Sequence, residues 1–197
     1  MDTELFLALA AFAFVSSITP GPNNLMLMAS GANFGFRASV PHMLGIGIGF
    51  VVMVMLVGAG LAQIFTTYPT SHTVLKTVSV IYLMYLAWKI ATAAPTATSG
   101  STGKPMTFLQ AAAFQWVNPK AWTMALTAVT VYSPGTGLWA IGLVALIFGA
   151  INLPAVSSWT LLGQGMARVL TNPARLRLFN WTMAVLLLLS LVPVLIP

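Results

Sequence analysis

Two short stretches of this chain carry the groups able to hold a small polar solute: Thr19-Pro20-Gly21-Pro22-Asn23-Asn24 and Gln115-Trp116-Val117-Asn118-Pro119-Lys120. Each interrupts an apolar run. Proline inside a helix removes a hydrogen bond and frees a carbonyl, at a cost of about 3 kcal/mol, so two prolines and a glycine in three residues describe a helix that stops and restarts. Thr19 before Pro20, and Asn118 before Pro119, both read as a helix N-cap with proline in the first turn. A restarted half-helix offers unpaired amides and partial positive charge to an anion, and the unwound carbonyls ahead of it accept from an ammonium group. Two such ends together match a zwitterion, so each break reads as half of an amino-acid site. The competing reading of either break is a proline kink that only shapes packing.

The side chains around the breaks sharpen this. A lysine at the centre of a bilayer costs about 2.5–3.5 kcal/mol, so Lys120 either pairs with a substrate carboxylate or belongs to a span that begins at Asn118, from which it snorkels to the headgroups. Asn23, Asn24, Gln115, Asn118 and Asn152 both donate and accept, which suits a zwitterion. Interhelical hydrogen bonding is the alternative for each, and the preferred one for Asn152, which stands beside Pro154. His42, at the opening of the second span, is the proton-coupling candidate, its other reading being an interfacial histidine without a role. His72 reads as solvated. Gly45 and Gly49, in Gly-Ile-Gly-Ile-Gly, are four apart inside an apolar run and favour close helix packing rather than phosphate binding.

These groups must be positioned by membrane helices. Hydrophobic residues make up 58% of the 197, and charged residues only 5%, too few to solvate the surface of a water-soluble globule. The net charge of +6 reads as membrane orientation, not as a nucleic-acid surface. Cysteine is absent, which excludes disulfide chemistry, thiolate metal sites and cysteine nucleophiles. Asp2 and Glu4 are the only acids, so no carboxylate cluster for a metal and no paired acids for an enzyme are expected, and no cofactor is implied. The start Met-Asp-Thr-Glu-Leu-Phe lacks the basic residues of a secretory signal and reads as mature sequence.

Six stretches have the length and apolarity of spans, near 5–30, 41–63, 73–92, 108–132, 138–162 and 178–196. The expected fold class is therefore an all-α membrane protein with six transmembrane helices. A Pro, Gly, Ser and Thr-rich linker, 93–106, divides one transporter domain, 1–197, into halves 1–92 and 107–197. Arg37, Lys89, Lys104, Lys120, Arg168, Arg175 and Arg177 fall on one side, and Lys76 alone on the other. The positive-inside rule then puts the odd loops in the cytoplasm and both termini outside. Because three spans per half is odd, the halves enter the membrane oppositely, as a 3+3 inverted repeat with broken first and fourth helices. At about 1.5 Å per residue the breaks lie about 22 Å and about 16 Å in from opposite faces, within reach of each other. The sixth span has no small-residue face and is expected to look out to lipid.

The residues Ser16–Arg37, Tyr82–Ala91 and Phe114–Trp122 resemble those of the lysine exporter and homoserine/threonine resistance family of bacterial amino-acid exporters, and the likeness runs over the whole chain. The resemblance implies efflux of amino acids or their derivatives across the cytoplasmic (inner) membrane by secondary transport in exchange for protons. It puts weight on Pro20, Gly21, Pro22, Asn23, Asn118, Pro119 and Lys120. Similar members are linked to threonine, homoserine, cysteine derivatives, leucine, lysine or arginine. A dibasic substrate brings a second cation that should meet a carboxylate; none is available in the spans, so neutral amino acids are favoured. For the same reason a proton relay must use His42 or the substrate's own amino group. The partners implied are thus an amino acid, protons and the lipid bilayer, with no nucleic acid and no oligomeric state specified. A metal-ion exporter or a channel-like protein of the same plan is the rival reading.

Overall fold

The computed structural model describes residues 1–93 and 104–195, and every regular element among them is helical. Most of the linker expected at 93–106 lies outside the described residues. Helix α1 (Thr3–Ile18) starts where the Asp2 carboxylate accepts from the Leu5 amide at 2.8 Å, with Glu4 also in the first turn, both favourable to the positive end of the helix. It ends at Thr19, whose backbone (φ −62°, ψ 139°) is extended, as the residue before a proline prefers. Helix α2 (Pro22–Phe34) begins with Pro22 in its first position and is bent by 53° from α1. Gly35, at φ 80°, joins α2 directly to α3 (Phe36–Leu56); a side chain there would be strained.

Helix α3 continues through a wide turn, Val57–Leu61, whose Gly60 has φ 108°, into the short α4 (Gln63–Thr67) and then α5 (Thr70–Ala91). The second half opens with α6 (Phe108–Phe114), held by a reciprocal Thr107–Gln110 capping box. A single tight turn, Gln115–Val117, leads to extended Asn118 and α7 (Pro119–Tyr132). The 30-residue α8 (Leu138–Ala167) follows, then α9 (Pro173–Leu189) and α10 (Val192–Leu195).

Helix α8 is the central post: α1, α2 and α3 all pack along it, while α3 also packs on α6, and α5 on α9. Glycine lets the backbones meet. A β-carbon on Gly31 would stand 2.1 Å from the Thr160 carbonyl oxygen, and one on Gly163 2.0 Å from that of Met28, so α2 and α8 cross at van der Waals contact of main chain. Gly45 and Gly49 do the same for α3 against Phe108 and Ala112, the close packing expected of that pair.

The extended α3 (Phe36–Leu61), α5 and α8 are each long and apolar enough to cross a membrane, and the bent pair α1–α2 has the length and apolarity for a crossing when taken together. The chain is a multi-pass membrane protein. The remaining two expected spans have a different build: one is α6, a tight turn and α7 in series, and the other is α9, whose 17 residues stand at the lower limit of about 17–25 for a helix that spans alone. Boundaries shift too. The second span begins at Phe36 rather than 41 because Gly35 turns the chain within one residue, and α9 begins at Pro173 rather than 178 because the Asn172 side chain caps it, accepting from the Ala174 amide at 2.8 Å. Nor does α9 simply face lipid: Leu176, Phe179, Asn180, Met183 and Leu187 are buried against α5 and α2.

Candidate functional site

The two breaks meet. The Lys120 ammonium, on the first turn of α7, donates to the Thr19 carbonyl at 2.7 Å and lies 3.5 Å from that of Pro20. Its aliphatic stem lies against Gly21, where a β-carbon would be 2.7 Å from Cδ. Lys120 thus seats in the unwound main chain between α1 and α2.

Every carbonyl released by the first break has a partner, as a low-dielectric interior demands. Val15 accepts from the Thr19 amide at 3.1 Å and also from the Thr19 hydroxyl. Ser17 accepts from the Asn24 side chain at 2.8 Å, Ile18 from the Trp159 indole at 3.2 Å, and Thr19 from both Asn24, at 2.8 Å, and Lys120. Thr19 is thus not the N-cap expected from sequence. Its hydroxyl bonds backward and closes α1, and Gly21, in extended conformation, takes the cap position of α2 without a side-chain bond. The second break follows expectation: the Asn118 side chain accepts from the Lys120 amide at 3.2 Å, ahead of Pro119 at the first helical position.

The remaining amides join the same centre. Asn23 donates to Gln115 at 2.9 Å and accepts from it at 3.2 Å, and Gln115, fully buried, also donates to the Ala111 carbonyl at 2.9 Å. Asn152 donates to the Ser17 hydroxyl at 2.9 Å, the interhelical bond preferred for it, yet its buried Oδ1 has no partner among the described residues. Ser17, Gly21, Asn23, Asn24, Asn118, Lys120 and Asn152 enclose a cavity of about 20 Å³. That is room for about one water and not for an amino acid, so the centre is closed in this conformation.

His42 stands apart. It lies in the second turn of α3 and is buried, 2% exposed; its surroundings belong to a separate, larger cavity. His72 is exposed and stacks on Phe65 with ring centroids 4.4 Å apart. The sequence reading missed Ser17, Trp159, Asn33 and Asn180. Asn33 and Asn180 form a second reciprocal amide pair, at 2.8 and 3.1 Å; an amide isolated within an apolar span is the signal that would have found Asn180.

A helical, multi-pass membrane protein whose centre is built from two interrupted helices and a seated lysine is the class that fold and site define. Comparison with known sequences makes this specific: residues 14–194 match the LysE type translocator family, and the chain belongs to it. The cysteine/O-acetylserine efflux protein of Escherichia coli (strain K12) is 31% identical over 179 residues, covering 89% of this chain and 90% of that protein. Those of Shigella sonnei (strain Ss046) and Shigella flexneri serotype 5b (strain 8401) are similar to the same extent. No solved structure matches.

Proposed function

We propose that this chain is a secondary transporter that exports a small neutral amino acid or derivative, of the cysteine, O-acetylserine, threonine or homoserine type, across the bacterial inner membrane in exchange for protons. The observation that carries this reading is the Lys120 ammonium bonded to the Thr19 carbonyl. An ammonium already occupies the place where the unwound chain would receive the amino group of a substrate. Lys120 is then a tethered stand-in for half of the ligand.

When the substrate arrives, its ammonium takes the Thr19 and Pro20 carbonyls. The displaced Lys120 swings to its carboxylate, which also faces the uncapped amides at the start of α2. Asn23, Gln115 and Asn152 contact the side-chain end, where the free Oδ1 of Asn152 accepts from a hydroxyl or thiol. The charge bookkeeping favours neutral substrates, since Lys120 and the substrate ammonium already share the site with one carboxylate and the chain's two acids lie at its start. His42, the buried histidine of the spans, is our candidate for the proton step. The pairing of α1 with α8 and of α6 with α3 supports the reading of the two halves, 1–92 and 107–197, as an inverted 3+3 repeat of one six-span domain, and the one-sided placement of Lys and Arg supports both termini outside.

The test is efflux from cells overproducing the protein, loaded with each labelled amino acid and with O-acetyl-L-serine. Saturable, uncoupler-sensitive loss of one or a few neutral compounds is expected. Unchanged loss across the whole panel would refute the exporter reading, and saturable loss indifferent to an uncoupler would remove the proton from it.

A further inference from the structure

Well apart from the broken-helix centre, a second cavity of about 260 Å³ opens among α2, the start of α3, the end of α5 and the stretch leading into α6. That approaches the roughly 300 Å³ at which small-molecule pockets begin. Lys89 and Lys104 lie on its rim, Ser30, Asn33 and His42 on its inner wall.

Three observations make this a built site. First, both ring nitrogens of His42 are buried without a hydrogen-bond partner among the described residues; such a group costs about 1–3 kcal/mol unless something bonds to it. Second, two lysines, Lys89 and Lys104, line the same cavity, the Lys89 ammonium resting 5.9 Å from the centre of the Tyr85 ring, and the chain has no carboxylate to pair with them there, because its only acids, Asp2 and Glu4, precede or open α1. Third, Asn23, Met26, Ser30 and Asn33 recur at the three- and four-residue spacing of one helix face. The last three line this cavity and the first lines the closed centre. One face of α2, about 15 Å long between Asn23 and Asn33, therefore connects the two.

We infer that this cavity is a second binding site for the transported amino acid, in which Lys89 and Lys104 hold the carboxylate and a His42 nitrogen accepts from the ammonium, before the molecule moves along α2 to the break. The inference rests on the exporter reading for the identity of its guest. The same cationic rim would suit the phosphate of an anionic lipid, so the test separates the two.

Purified full-length protein in detergent is titrated with labelled O-acetyl-L-serine by equilibrium dialysis, with and without phosphatidylglycerol. Two equivalents per chain are expected for the wild type. Lys120→Met should keep one, and Lys89→Gln/Lys104→Gln should lose the other. In cells, the double lysine variant should raise the KM for efflux about tenfold with little change in the maximal rate. If the wild type exports but binds a single equivalent that Lys120→Met abolishes and the rim variant leaves alone, the second site is wrong and the exporter reading survives. If phosphatidylglycerol displaces the rim equivalent without altering the KM for efflux, the occupant is lipid and the inference fails. Absence of both binding and export overturns the two together.

Discussion

At the scale of single residues, Lys120 decides whether the centre is a site or a brace. As a brace it contributes a charge-assisted hydrogen bond to a carbonyl, worth about 1.5–3 kcal/mol, and its removal should show in stability alone. As a ligand-handling group it must also move. Lys120→Met, which retains much of the stem, is expected to cut efflux tenfold or more, since about 1.4 kcal/mol is a factor of ten, while the protein still inserts. Gly21→Ala tests the same seat from the other side. Its extended backbone accepts any residue, but the new β-carbon would collide with a flexible lysine stem. Efflux should fall while the melting midpoint of the purified protein moves little. Wild-type flux in both variants would return Lys120 to a structural role. Asn118 and Lys120 were legible in the sequence because a cap before proline and a lysine in an apolar run are local signals. Trp159 and Ser17 were not, since their roles, bonding the Ile18 carbonyl and the Asn152 amide, exist only once α8 lies against the break.

At the scale of elements, the crossing of α2 and α8 fixes where the first break can be. The two backbones touch at Gly31 and Gly163, and the substitution that separates them should act on the fold before it acts on transport. Gly163→Ala places a β-carbon 2.0 Å from the Met28 carbonyl oxygen with main chain on both sides, and a cost of about 1–3 kcal/mol or more is expected from overpacking. Gly165, two residues on in the same helix, meets nothing within 4 Å, so Gly165→Ala should stabilise by up to about 1 kcal/mol through helix propensity. Opposite shifts of melting midpoint in detergent are the expected result; equal shifts would mean that α2 and α8 do not cross as described. The sequence announced the breaks, the apolar spans and the Gly45/Gly49 contact because proline, hydropathy and glycine spacing act within a few residues. It concealed the true start of α2, since Thr-Pro-Gly-Pro offers two cap-and-proline registers, and the hydrogen bond from the Thr19 hydroxyl back to Val15, with Gly21 capping instead, selects the second.

At the scale of the whole molecule, the charges bear on the direction in which the chain sits across the membrane. Arg37, Lys89, Lys104, Arg168, Arg175 and Arg177 flank the ends of α2, α5 and α8 and the starts of α3, α6 and α9, whereas Asp2, Glu4 and Lys76 fall at the other ends of the helices. Lysine and arginine are retained on the cytoplasmic side during insertion, so the larger cavity should open to the cytoplasm, on the side from which an exporter must load. Alkaline phosphatase folds actively only outside the inner membrane. Fused after Pro197 it should be active, and fused within the loop after α8, at Leu170, it should be inactive. The reverse pattern, with both fusions expressed, would turn the molecule over. The cavity rimmed by Lys89 and Lys104 would then face outward, where it could receive a substrate for uptake but not load one for export.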